Sequence, residues 1–110
     1  MQKILVQQGD CIIRACGEIP EEAKRVKLQG NVFVVLKGEG VNTHELQSQT
    51  LEADCEIYQK EDTLYLKIKN DVPLVHQEHG TNILRGGLLG EIIIEREFDY
   101  ERMEARNTQD

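Results

Sequence analysis

The chain has 110 residues, 39% of them hydrophobic, with two Pro, nine Gly and no Trp. That describes one compact domain with a core of Ile, Leu and Val, and excludes a disordered or low-complexity chain. Twenty acidic against 13 basic residues give a net charge of −7, a surface that repels phosphate backbones and anionic lipid, so nucleic acid is not an expected partner.

The N-terminal "MQKILVQQGD" carries one Lys and a short apolar patch, too little for a secretory signal. No later run approaches the ~20 apolar residues of a membrane span. The expected compartment is the cytoplasm, with no membrane partner. "KILVQ" (3–7) and "DCIIRAC" (10–16) flank Gly9-Asp10 and read as a β-hairpin. Cys11, Cys16 and Cys55 are odd in number and form no Cys-x-x-Cys pair, so finger-type structural zinc is not expected. They read as reduced and mostly buried.

"IPEEAKRV" (19–26) is the one helical candidate: Pro20 suits a first turn, and Glu21 and Glu22 sit where the helix dipole favours negative charge. One or two turns are expected. "NVFVVLKGEG" (31–40) is apolar on both faces, the pattern of a central strand covered on both sides. "CEIYQ" (55–59) and "TLYLKIK" (63–69) form a second hairpin, with Leu64, Leu66 and Ile68 on its buried face.

"VPLVHQEHGT" (72–81) places Val72, Leu74, His76 and Glu78 on one face. Glycine at position 80 marks a turn there. "ILRGGLLG" (83–90) lacks the ending of a phosphate loop and reads as a connection between strands. "EIIIEREFD" (91–99) is a long strand with Ile92, Ile94, Arg96 and Phe98 on one side. The tail, 101–110, is polar. The expected fold is all-β, mainly antiparallel: a small barrel or sandwich of seven or eight strands with at most one short helix. It forms a single domain over 1–100.

Chemistry concentrates in the histidines. If the chain turns at Glu78, His76 and His79 could converge, with His44 from "GVNTHELQ" (40–47) as a third imidazole. Three imidazoles and a carboxylate could hold a divalent metal such as zinc or manganese with an open position. A metal-free version pairs a His with Glu78 or Glu97 as acid or base. Arg96, between apolar neighbours on its face, should find a carboxylate such as Glu78 or Glu45, or a bound anion.

In order along the chain stand Gln8-Gly9-Asp10, Ile19-Pro20, Gly38-Glu39, Asn42-Thr43-His44, Val75-His76-Gln77-Glu78-His79-Gly80 and Glu95-Arg96-Glu97-Phe98-Asp99. With these the chain resembles a family of small, uncharacterised bacterial and phage-type β proteins. That family's pattern has "QGD", "IP", "GE" with Gly-His-x-His, "THEEHGPI", "LPPGTYRV" and "QREYD". The resemblance implies that His44, His76, Glu78, His79, Arg96 and Glu97 belong to one constellation; it implies no particular activity. Asn42 stands where the pattern has its first histidine, Gln77 replaces a glutamate and Phe98 a tyrosine. An asparagine there is a poor metal ligand.

The leading functional expectation is a self-associating or partner-binding module, a homo-oligomer or a binder of a protein or small anionic ligand. The alternative is a small metal- or histidine-dependent hydrolase acting on a phosphoester or nucleotide. His44, His76 and His79 would be its ligands, with Glu78, Arg96 and Glu97 acting on substrate.

Overall fold

The computed structural model describes residues 3–37 and 42–93. Alternating apolar residues build ten strands among them: β1 (Ile4–Gln8), β2 (Cys11–Ala15), β3 (Lys24–Arg25), β4 (Val32–Lys37), β5 (Thr43–Gln47), β6 (Cys55–Lys60), β7 (Thr63–Ile68), β8 (Val72–His76), β9 (Gly80–Leu84) and β10 (Leu89–Ile93). One helical turn, α1 (Leu51–Asp54), precedes β6. The strands form two antiparallel sheets, a six-stranded one in the order β1-β2-β10-β7-β6-β3 and a four-stranded one in the order β4-β5-β8-β9. The sheets do not close into a barrel, so of the two expected architectures the sandwich is the one formed.

Each sheet turns its period-two apolar face inward. Ile13, Ile57, Leu64, Leu66, Ile68 and Ile92 meet Val35, Leu46, Val72, Leu74 and Leu84, all at most 4% exposed. Each large side chain so buried contributes about 1.5–3 kcal/mol of transfer free energy. The expected inward set of β7 is the observed one.

The hairpins follow their turn residues. Gln8 pairs with Cys11 across Gly9-Asp10. Gly9 has φ +59° at the first central position, where a type II′ turn requires a positive value. Lys60 pairs with Thr63, and the same backbone role falls to Glu61 at φ 54°. Between β8 and β9, His76 pairs with Gly80 at φ +80°. The turn between them is capped by His76 Nδ1, which accepts the backbone N–H groups of Glu78 at 3.0 Å and His79 at 3.2 Å.

Two expectations fail, each for a tertiary reason. Residues 19–26 form no helix. After a turn, Lys24 and Arg25 pair with Gln59 and Tyr58 as the edge strand β3, because the exposed edge of β6 satisfies their backbone groups. The helical turn lies instead at Leu51–Asp54. Its Asp54 side chain accepts hydrogen bonds from Ser48 Oγ at 2.5 Å, Thr50 Oγ1 at 2.9 Å and Asn70 Nδ2 at 3.1 Å. Residues 31–37 do not form a central strand: among the described residues β4 is an edge, with Val32 47% and Val34 40% exposed. A register shift between Val34 and Leu36 turns Val35 into the core beside Leu36, so the apolar run serves a bulge rather than two covered faces. Of the expected strand 91–99, the described part ends at Ile93. Ile92 there is buried and Ile93 exposed.

Candidate functional site

The end of the sandwich where the β1–β2 turn meets the β8–β9 turn holds the polar cluster. The strand period aims His44 of β5 and His76 of β8 inward, next to Leu46 and Leu74. His44 is fully buried and His76 is 5% exposed. The turn after β8 brings His79, which is exposed, back over them. The ring centroids lie 4.2 Å apart for His44 and His76, 4.6 Å for His76 and His79, and 6.3 Å for His44 and His79, the last two rings being parallel within 2°. The three imidazoles singled out in the sequence therefore stand together.

The partners of these rings are residues to which sequence reasoning assigned no role. Gln8, 2% exposed, reaches from β1 across the inter-sheet space. Its Nε2 donates toward Leu74 O at 2.7 Å, Gly80 O at 3.0 Å and Asn82 Oδ1 at 2.9 Å. All three are acceptors, so the amide orientation is determined and Oε1 faces Nδ1 of His44 at 2.8 Å. Nδ1 must then carry a proton. On the other side of the ring, Nε2 lies 2.8 Å from Oδ1 of Asp10, whose side chain is 64% exposed. The available signal was the Gln8-Gly9-Asp10 run, legible as a turn but not as part of this cluster.

The electrostatics follow from this layering. Burial pulls the pKa of His44 below its ordinary value. The hydrogen bond to Asp10 works against that shift, and the neighbouring imidazoles add to it. For Asp10, partial burial works upward, but the His44 bond and its own backbone outweigh it and hold the carboxyl below its ordinary range. His76 accepts two N–H bonds at Nδ1, so its neutral ring carries the proton on Nε2. Among the described residues no group of three or more His, Cys, Asp or Glu side chains is already arranged to hold a metal ion.

The remaining expected site residues stand apart or outside. Glu78 is exposed in the turn, and the carboxylate bonded to an imidazole is Asp10 instead. Gln77 Oε1 accepts the backbone N–H of Thr43 at 3.0 Å, tying the turn to β5. Arg96 and Glu97 lie outside the described residues, as do Gly38-Glu39 and the tail. Cys11, Cys16 and Cys55 are free thiols. Burial, then the Asp10 charge, pushes Cys11 up to about 12, and burial pushes Cys55 up to about 11, far from the range of a reactive thiolate.

A second surface has a distinct character. The outward side of the four-stranded sheet carries Val32 and Val34 from β4, Pro73 and Val75 from β8, and Ile83 from β9. Between them, Glu45 of β5 accepts from Thr43 Oγ1 at 2.5 Å and from Gln47 Nε2 at 3.0 Å, so both carboxylate oxygens are engaged within the face.

Fold and site together define a small antiparallel β-sandwich domain with a histidine-lined end. No helix among the described residues is long and apolar enough to cross a membrane. The chain belongs to the family of a domain of unknown function, DUF8820, whose model matches residues 7–89. That span includes Gln8, Asp10 and all three histidines. No curated protein matches the chain, and no solved structure does.

Proposed function

We propose that this domain is a self-associating module that pairs through the outward face of its four-stranded sheet. The observation that carries this reading is the concentration of apolar side chains there. Three of the exposed large hydrophobics, Val32, Val34 and Ile83, at 40–47% exposure, lie on this one face. Both carboxylate oxygens of Glu45 among them accept internal hydrogen bonds, which lowers the cost of covering that row. β4 at the sheet's edge extends the surface with backbone groups that a second copy can pair. Light scattering across a wide concentration range tests the reading. The expected result is a dimer or larger assembly that Val34→Lys with Ile83→Lys converts to monomer. A monomeric mass for the unaltered chain at every concentration overturns it.

The second reading is a histidine-dependent hydrolase of an anionic phosphoester or nucleotide. It draws support from the Asp10–His44 pair beside an exposed imidazole, an acid–base arrangement open to solvent. Glu78, Arg96 and Glu97 would serve the substrate's charge and protons. Turnover of model phosphodiesters that vanishes in Asp10→Asn supports it; absence of turnover across phosphomonoesters, diesters and nucleotides removes it.

A further inference from the structure

We propose that Asp10, His44 and His79 form a binding site for one divalent transition-metal ion, zinc being the natural occupant for a nitrogen and carboxylate donor set. The inference is independent of self-association. Because Gln8 engages the Nδ1 proton of His44, the neutral ring presents its Nε2 lone pair to Oδ1 of Asp10 at 2.8 Å. Two electron-pair donors at that distance call for a positive charge between them. A proton supplies the minimum, and a metal ion supplies more. Tetrahedral zinc with bonds of about 2.0–2.2 Å to nitrogen and oxygen sets adjacent ligand atoms about 3.4 Å apart, so the exposed Asp10 carboxylate has only to draw back slightly from His44 for the two to flank an ion.

The Gln8 contact is also what a ligating histidine needs behind it. The nitrogen opposite the metal donates to a fixed acceptor, which sets the tautomer and the ring plane. Here the acceptor is itself anchored by Leu74 O, Gly80 O and Asn82. His79 supplies the third donor. Its ring nitrogens make no hydrogen bond among the described residues. It stacks parallel to His44 at 6.3 Å, lying so close to the β1–β2 turn that a Cβ at Gly9 would overlap its Cδ2 and Nε2 atoms. A side-chain rotation of this exposed residue brings a nitrogen to the Asp10–His44 pair. His76 is not a ligand: its Nδ1 caps the turn that carries His79, and its ring packs against both of the others. The exposure of Asp10 and His79 leaves the remaining coordination positions to water, so the site is an open one of the kind that polarises a ligand.

The test uses the full chain purified without a histidine tag and stripped with chelator. Zinc chloride is added under isothermal titration calorimetry, and the imidazole 15N resonances are followed by NMR. The expected result is one zinc per chain, with the His44 Nε2 and a His79 ring nitrogen shifting and the His44 Nδ1 proton retained. Asp10→Asn and His79→Ala, both at exposed positions, should each weaken binding tenfold or more, at least the effect of losing an outer partner, with circular dichroism confirming that each variant is folded. Absence of saturable zinc binding overturns the proposal. So does binding of equal strength in the two variants, or a His44 ring that keeps two protons and does not respond to zinc, which leaves the pair as a proton site only.

Discussion

Gln8 of the six-stranded sheet presents Oε1 to Nδ1 of His44 in the four-stranded sheet at 2.8 Å. One amide thus both joins the two layers and decides which imidazole nitrogen carries a proton. Its other atom, Nε2, faces three acceptors from β8 and β9, so neither the Gln8 amide nor the His44 ring can rotate independently.

Gln8→Leu keeps the bulk and removes all of these bonds. It leaves the His44 N–H and at least one carbonyl buried without a partner, at about 1–3 kcal/mol for each such group. A stability loss of about 2–3 kcal/mol in urea unfolding is expected, together with loss of the single His44 tautomer in 15N spectra. A loss under about 0.5 kcal/mol, the range of ordinary surface changes, would show that water replaces the amide without cost.

Two hairpin turns should respond in opposite directions. Gly9→Ala forces a side chain into left-handed backbone at φ +59° and against the His79 ring. It should cost about 1–2 kcal/mol, part of it recovered when His79 is also Ala. Glu61 holds a similar φ of 54° with a side chain in place, so Glu61→Gly should stabilise by up to about 1 kcal/mol. Thermal melts of both variants check the pair of signs, and a Glu61→Gly protein that melts lower refutes the strain argument.

Gly90 of β10 is buried between β2 and β7 in the six-stranded sheet. A Cβ there would lie 2.6 Å from Ile13 Cγ2 and 3.1 Å from Arg14 O. Since Ile13 is fully buried and the second neighbour is backbone, Gly90→Ala should cost about 1–3 kcal/mol as overpacking. Substitution at Gly17, with open space around it, is the control that should not share this loss.

Acid stability should carry a contribution from Asp54. Hydrogen bonds from Ser48, then Asn70 and Thr50, hold its carboxyl below the ordinary 3.8. The folded chain therefore releases this proton more readily than the unfolded one. The stabilisation is complete above pH 3.8 and fades as pH falls through the lower folded value. Asp54→Asn should flatten that acid limb of the stability curve while leaving its neutral shape alone. An unchanged limb in denaturant titrations at several pH values would assign the loss to other carboxylates.

Much of the architecture was legible in the residues because strand burial has a period of two, and local order suffices to show it. "TLYLKIK" reads as β7 with its inward face correct, and Gly9-Asp10 reads as a hairpin turn because only glycine accepts that backbone cheaply. The run 31–37 misled because apolar residues on both faces mark either a central strand or a bulged edge with an outward apolar surface. Only pairing decides between these, and among the described residues β4 pairs on one side alone. Residues 19–26 misled because a short helical preference of a few tenths of a kcal/mol per residue yields to strand pairing whenever an edge is within reach.

The sequence by itself determined that three imidazoles lie at strand ends, since Gly80 and the alternation through His76 are local facts. Only the tertiary structure decided what they touch. Gln8 and Asp10 are 36 and 34 residues from His44 in the chain, and their meeting depends on which sheet stacks on which. A hydrogen bond is made by atoms a few ångströms apart whatever their separation in sequence, so the partner, tautomer and charge of His44 became readable only when the two layers closed.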